Sequence, residues 1–269
     1  MTTIIRIAIQ LICTLFMAAS GVTLAQSVDA SQPTVLITGS NRGIGLAFAE
    51  YYAAAGWNVI ATARSPERAE ELQTLAEHNA HVIVEQLDVT DWDRIAELAA
   101  QYDGTPIDLL INNAGIYGDL DKQEWGSLDP AEFDQINAVN VLGPLKMAEA
   151  FADHVAASRQ KKIVSITSGA GSVSPDRVAG GGMFYAISKA ALNMAMRKTR
   201  AELEPRGIVV ATIAPGIVNT EMLATNRPSL VARARTAEES VASIAAVIDG
   251  LDQTYDGRPR NFDGSVLPW

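Results

Sequence analysis

Short apolar runs alternate along most of the chain with longer segments in which apolar residues recur at helical spacing. Near-continuous apolar runs are typical of strands that are buried on both faces of a sheet. The predicted strands are 34–37, 58–62, 81–85, 107–111, 162–166 and 208–212, with a final edge strand at 259–262. This alternation predicts an α/β fold with a doubly wound parallel sheet, three layers and a single domain. In such a sheet the ligand site lies beyond the carboxyl ends of the strands.

Helix boundaries are suggested by local start signals. Ser65 precedes Pro66, so we expect Ser65 to cap a helix that has Pro66 at its first helical position. Thr90 and Asp91 mark the start of the next helix by the same reasoning. The longest predicted helices cover about 130–157 and 183–204, and the last one covers about 236–249.

The N-terminus differs from the rest of the chain. Arg6 gives a short positive region, residues 7–19 are largely apolar, and Thr23-Leu24-Ala25 resembles a small-residue cleavage site. This pattern predicts an export signal at 1–25, a polar linker at 26–32 and the domain at 33–269, which cleavage would place in the periplasm. Two alternatives stay open. In the first, the leader is an uncleaved membrane anchor, because its apolar stretch is nearly as long as the ~20 residues that span a bilayer. In the second, it is a mis-assigned start of a cytoplasmic protein.

Composition excludes several classes of function. The formal net charge of −10 and the absence of basic runs argue against nucleic acid as a partner. Cys13 is the only cysteine and lies in the leader, which excludes disulfides and cysteine metal sites from the mature chain. The three histidines, His78, His81 and His154, show no metal-binding spacing. We therefore predict no metal site.

A glycine-rich turn follows the first predicted strand. The segment from Thr38 to Gly45 reads Thr-Gly-Ser-Asn-Arg-Gly-Ile-Gly and leads into an apolar-periodic segment. Glycines there let the backbone approach a phosphate, which then lies on the free N–H groups of the helix N-terminus. Glycine also suits any strained turn, so the motif is weak by itself.

A tyrosine and a lysine are spaced for acid–base chemistry. Tyr185 and Lys189 lie four residues apart on a predicted helix and therefore share a face. The ammonium group would favour the phenolate and lower the pKa of Tyr185 from its usual value of about 10. We therefore expect a tyrosine that serves as a general acid or base.

Further motifs follow the glycine turn along the chain: Asn112-Asn113-Ala114-Gly115, Asn140, Ser168, Tyr185 with Lys189, and Pro215-Gly216 followed by Thr220. Taken in this order, the motifs resemble the short-chain dehydrogenase/reductase family over nearly all of residues 33–269. The resemblance implies a Rossmann fold and an oxidoreductase. Gly171-Ser172, the glycines at 180–182 and the ending at 261–269 are similar to the sniffer-type and C-factor-type carbonyl reductases.

The resemblance implies a role for each catalytic residue. Tyr185 would donate a proton to a ketone or aldehyde oxygen, and Ser168 would hydrogen-bond the same oxygen as an oxyanion donor does. Lys189 would hold the nicotinamide ribose, and Asn140 would anchor a water that relays protons to Lys189. Ser172 remains an alternative for the serine role, because the loop before Tyr185 is longer than usual.

Charge at the end of the second strand favours one nicotinamide. Enzymes that use NAD(H) place an acid there, whereas this chain has Arg64, and Arg42 lies inside the glycine turn. Guanidinium groups suit a 2′-phosphate, so we expect NADP(H) rather than NAD(H). The implied cofactor-binding residues are Gly39, Ser40, Asn41, Arg42, Gly43, Ile44, Gly45, Arg64, Asp88, Val89, Asn113, Ala114, Gly115, Tyr185, Lys189, Pro215, Gly216, Val218 and Thr220.

The remaining expectations concern the substrate and the partners. The segment 221–236 mixes apolar side chains with arginines and is predicted to be a substrate lid over a small carbonyl or alcohol substrate. The family resemblance implies a homo-oligomer formed through the long helices. The alternative function is a non-catalytic nucleotide-binding or signalling protein on the same fold.

Overall fold

The computed structural model describes residues 28–174 and 182–268. Its seven strands form one parallel sheet in the order β3-β2-β1-β4-β5-β6-β7. The strands are β1 Thr34–Ile37, β2 Asn58–Ala63, β3 Val82–Gln86, β4 Leu109–Asn112, β5 Lys162–Ile166, β6 Val209–Ala214 and β7 Arg260–Asn261. The strand order reverses between β1 and β4, which confirms the predicted doubly wound sheet and places a crevice at that edge.

Helices cover both faces of the sheet. They are α1 Gly43–Ala54, α2 Glu70–His78, α3 Trp92–Gln101, α4 Pro130–Asn137, α5 Gly143–Ala156, α6 Met183–Leu203, α7 Glu221–Asn226 and α8 Ala237–Asp249. Alternate strand residues pack on opposite layers: Val35 and Ile37 contribute to the core under α1 and α8, and Leu36 to the core under α3, α5 and α6. This arrangement confirms the three-layer single domain.

The predicted start of the second helix was wrong in detail. Ser65 makes no capping hydrogen bond, and Pro66 begins a 3₁₀ turn that ends at Arg68. Ala69 is 4% exposed and has a ψ of 63°, so the chain leaves helical geometry before α2 begins at Glu70. The apparent start signal therefore belongs to a short turn that precedes the helix.

The predicted helix over 130–157 is interrupted. A π-helical turn, Ala138–Leu142, separates α4 from α5. Pro144 has no N–H group, so it cannot donate to the carbonyl of Asn140 four residues earlier, and the α-helical ladder fails there. Such π turns occur often at functional sites, and this one carries the buried Asn140.

The N-terminal predictions fall mostly outside the described ranges. The leader at 1–25 is among the residues that the structure does not describe, and so are Gly180 and Gly181. Asn58 bonds to both the N–H (3.0 Å) and the carbonyl (2.8 Å) of Asp29 and thereby holds the predicted linker against the domain. Within 28–174 and 182–268, no helix has the length and apolar character needed to cross a bilayer.

Candidate active site

The glycine turn lies directly against the end of β4. Gly39 has a φ of +69°, and a Cβ there would lie 2.9 Å from the backbone of Ala114. The buried Thr38 hydroxyl accepts from the N–H groups of Asn113 (3.0 Å) and Ala114 (3.1 Å). Asn113 Nδ2 in turn donates to the carbonyls of Thr38 (3.0 Å) and Gly39 (3.1 Å). These bonds join the turn and the Asn-Asn-Ala-Gly segment into one backbone surface.

The start of α1 is shaped to receive an anion. A Cβ on Gly45 would lie 2.1 Å from the carbonyl oxygen of Gly39, so the turn closes only around glycine. Arg42 occupies the N-cap position and makes no side-chain capping bond. The first N–H groups of α1 therefore remain available to phosphate oxygens. The turn consequently fits the pyrophosphate of a dinucleotide.

Tyr185 and Lys189 lie in the first turns of α6, as their spacing predicts. Lys189 Nζ is 5.8 Å from the centre of the Tyr185 ring and donates to the carbonyl of Ile166 at 3.0 Å. Ser168, which follows β5, lies close enough to the Tyr185 phenol to lower its pKa, and its hydroxyl accepts from the N–H of Ala170 at 3.1 Å. The structure thus brings Ser168, Tyr185 and Lys189 together at the carboxyl edge of the sheet.

Burial dominates the acid–base state of this pair. Burial raises the pKa of Tyr185 to about 12, against the lowering effect of its hydrogen bond with Ser168. Burial also lowers the pKa of Lys189 to about 8. The expectation that Lys189 lowers the pKa of Tyr185 is therefore wrong, because burial disfavours the charged form of each group and is the largest influence on both pKa values.

Asn140 connects the π turn to the other site segments. Its Oδ1 accepts from the N–H of Ile116 at 2.9 Å, and its Nδ2 donates to the carbonyl of Ile116 and to the Ser188 hydroxyl, each at 2.9 Å. Ser188 donates in turn to the carbonyl of Tyr185 at 2.7 Å. Asn140 thus holds α6 and the segment after β4 at fixed positions beside Lys189.

The two candidate serines have different surroundings. Ser168 lies within hydrogen-bond reach of Tyr185. The Ser172 hydroxyl is buried and donates to the carbonyl of Pro268 at 2.6 Å, near the C-terminus. Ser172 therefore holds the C-terminal segment, and the geometry favours Ser168 at the reacting centre.

The charged residues near the cofactor cleft are mostly exposed. Arg42 forms an ion pair with Glu221, the first residue of α7, and Arg64 is exposed at the end of β2. Asp88 accepts from the N–H (2.9 Å) and hydroxyl (2.7 Å) of Thr90 in the turn before α3. Glu221 is a partner for Arg42 that sequence reasoning missed.

The segment after β6 closes the other side of the cleft. Thr220 caps α7 by accepting from the N–H of Leu223 at 3.2 Å, and a Cβ on Gly43 would lie 3.3 Å from its methyl group. A Cβ on Gly216 would lie 2.8 Å from the Phe262 ring. Val218 is buried and pairs with Arg235 in an isolated bridge. The predicted lid is α7 followed by a 3₁₀ segment, Pro228–Arg233.

Sequence reasoning missed four residues that shape the site. Thr38 and Ser188 orient backbone segments through their hydroxyls, as described above. Tyr117 stacks on the Tyr185 ring with 4.3 Å between ring centres. Gln123 is 1% exposed and accepts from the N–H of Tyr185. Only Thr38 had a local signal, because it opens the glycine motif itself.

Comparison with known proteins decides the family. Residues 33–230 match the family described as short chain dehydrogenase. The chain belongs to this family. The C-signal of Myxococcus xanthus is 35% identical over 61% of this chain and 93% of its own length. An uncharacterized oxidoreductase of Schizosaccharomyces pombe is 34% identical over 87% of this chain and 96% of its own length.

A solved structure from the same family supports the fold and the branch. The NADPH-bound carbonyl reductase from chicken fatty liver superposes with a TM-score of 0.81 at 32% identity, covering 88% of this chain and 99% of its own. The resemblance to the carbonyl reductase branch of the family is thereby confirmed, and so is the prediction that the chain is an oxidoreductase.

Proposed function

We propose that the protein is an NADP(H)-dependent carbonyl reductase that converts a ketone or aldehyde to the alcohol. The observation that carries this proposal is the Tyr185 phenol, with Lys189 Nζ 5.8 Å from its ring centre and Ser168 beside it, at the same sheet edge as the glycine turn. The chicken relative, which is NADPH-bound, supports the choice of cofactor.

Two surfaces of the chain fit the cofactor. The N-terminus of α1 and the backbone from Asn113 to Gly115 would hold the pyrophosphate and the adenosine side. Arg42 and Arg64 would hold the 2′-phosphate, because guanidinium groups pair well with phosphate oxygens. Thr220, whose methyl group lies beside Gly43, would contact the nicotinamide carboxamide.

The acid–base step follows from the protonation state of the site. When bound, the reduced nicotinamide supplies a hydride to the carbonyl carbon. Tyr185, whose pKa burial raises to about 12, is neutral near pH 7 and therefore has a proton to donate to the carbonyl oxygen. Ser168 stabilises the negative charge that develops on that oxygen. Lys189 and Asn140 hold α6 so that the phenol faces the cleft.

The experiment that tests this function compares NADPH and NADH consumption by the purified chain over a panel of ketones and aldehydes. We expect consumption with NADPH at higher kcat/KM than with NADH. Tyr185→Phe removes only the phenolic proton, so we expect the rate to fall by about a hundredfold or more. Equal background rates for wild type and Tyr185→Phe would refute an enzyme and favour the non-catalytic nucleotide-binding alternative.

We also propose that the protein is a homo-oligomer. Three large apolar side chains on the α5 and α6 side are exposed: Leu142 (48%), Ile187 (43%) and Met194 (55%). A second copy of the chain would bury them in a symmetric helical interface. Light scattering of the purified domain measures its mass in solution and so tests the oligomeric state. A monomer at micromolar concentration would refute the proposal.

A further inference from the structure

An aromatic residue outside the family motifs lies on the proposed proton donor. Tyr117, in the loop after β4, stacks on Tyr185 with 4.3 Å between ring centres and 18° between ring planes. Offset stacks of this kind stabilise the position of both rings. One face of Tyr185 is thus covered by Tyr117, and the Tyr117 ring is itself only partly buried. A substrate whose oxygen met the Tyr185 phenol would therefore lie near the Tyr117 ring.

The backbone of Tyr117 is held by buried amides. Gln123 Nε2 donates to the carbonyl of Tyr117 at 2.9 Å, and Asn140 bonds to both the N–H and the carbonyl of the preceding Ile116. The following Gly118 has a φ of +79°, and a Cβ there would lie 2.6 Å from a carboxylate oxygen of Glu132. The loop is therefore fixed on both sides of the aromatic ring.

The same glutamine fixes the partner ring. Gly182 stands at the N-cap of α6 and has no side chain to cap the helix. The N–H of Tyr185 is one of the free donors of the first turn, and Gln123 Oε1 accepts from it at 3.0 Å. One buried amide, 62 residues before Tyr185 in sequence, therefore sets the positions of Tyr117 and Tyr185 relative to each other.

The predicted lid contacts the hydroxyl of Tyr117. Arg227, the residue after α7, donates from Nε to the Tyr117 hydroxyl at 3.0 Å. A Cβ on Gly182 would lie 2.6 Å from that hydroxyl. The ring is therefore confined between the start of α6 and the lid.

We propose that Tyr117 is the substrate-positioning residue of this reductase and selects carbonyl compounds that carry a planar aryl group. Gln123 is the residue that aligns it with Tyr185. The inference rests on the proposed carbonyl reductase function. A planar group attached to the reacting carbonyl would lie along the Tyr117 ring while its oxygen meets Tyr185 and Ser168. Stacking against an aromatic wall favours aryl over short alkyl groups.

The test compares an aryl ketone with a short aliphatic ketone for wild type, Tyr117→Leu and Tyr117→Phe. For Tyr117→Leu we expect KM for the aryl ketone to rise about tenfold, the upper range of an aromatic pair, with less than about threefold change for the aliphatic ketone. Tyr117→Phe keeps the ring and should retain the aryl preference. Phe133→Leu is the matched control, because it removes an aromatic pair with Phe184 next to Tyr185 without touching the Tyr185 ring.

A second variant tests the alignment by Gln123. Gln123→Met keeps a side chain of similar size but removes its three hydrogen bonds, with the carbonyls of Tyr117 and Asp119 and the N–H of Tyr185. We therefore expect kcat to fall for both ketones by about tenfold. Gln123→Glu keeps an acceptor for the N–H of Tyr185 and should recover part of kcat. If the wild type is active and the ratio of the aryl-ketone KM to the aliphatic-ketone KM is the same in wild type and Tyr117→Leu, the positioning role of Tyr117 is refuted while the proposed function stands. An inactive wild type would refute the proposed function and this inference with it.

Discussion

Replacing Lys189 with methionine should change how stability depends on pH. Lys189 is 5% exposed, and burial lowers its pKa from 10.5 to about 8. Between these two values the unfolded chain binds a proton that the folded chain has lost, so stability rises with pH across that window. Methionine has a similar length and no titrating group, so the variant should lack this contribution.

The size of the effect follows from the two pKa values. Lowering a lysine pKa from 10.5 to about 8 costs about 3 kcal/mol of stability at pH values well below 8. About 2 kcal/mol of this cost should be recovered between about pH 7 and about pH 9.5, because over that interval the folded chain loses the Lys189 proton while most of the unfolded chain keeps it. The wild-type free energy of unfolding should therefore rise relative to Lys189→Met by about that amount across the interval.

Urea unfolding at a series of pH values measures the difference directly. Lys198→Met on the same helix is the matched control, since Lys198 is exposed, and it should follow the wild-type pH dependence. A constant difference between wild type and Lys189→Met over the interval would refute the reasoning. It would mean that Lys189 keeps an ordinary pKa in the folded chain.

Three further outcomes are expected. Ser168→Ala should lower kcat by about a hundredfold or more with the best ketone, whereas Ser172→Ala should chiefly lower the melting temperature; the reverse pattern would assign the reaction to Ser172. Glu221→Gln frees Arg42 from an exposed ion pair, so the KM for NADPH should fall by about two- to fivefold and that for NADH should stay constant, as steady-state titrations would reveal. If 1–25 is the export signal that its pattern predicts, N-terminal sequencing of the mature protein should begin at Gln26, and an intact leader would contradict cleavage.

Local patterns were enough to predict the sheet and the family motifs. Each buried strand is a short apolar run flanked by turn residues, so the first six strands were found to within two residues at each end. The glycine turn was recognisable from the spacing of its glycines directly after an apolar run. Such signals depend on neighbouring residues and need no knowledge of tertiary contacts.

Other features depend on contacts that a local pattern does not contain. Gln123 looks like an ordinary loop glutamine, yet its amide joins Tyr117 to Tyr185 across the cleft. The π turn at Asn140 was readable in principle, since Pro144 removes the N–H that a continuous helix needs. It was missed because helical periodicity continues on both sides of it.

The Tyr185–Lys189 pair shows where a sequence rule gives the geometry but not the electrostatics. Spacing of four residues correctly predicts that the side chains lie near each other. The sign of the pKa change depends on burial, because desolvation disfavours phenolate and ammonium alike and here exceeds their attraction. A tyrosine held neutral has a proton to donate near pH 7, as the proposed reduction of a carbonyl requires. That protonation state depends on burial, which the sequence pattern did not contain.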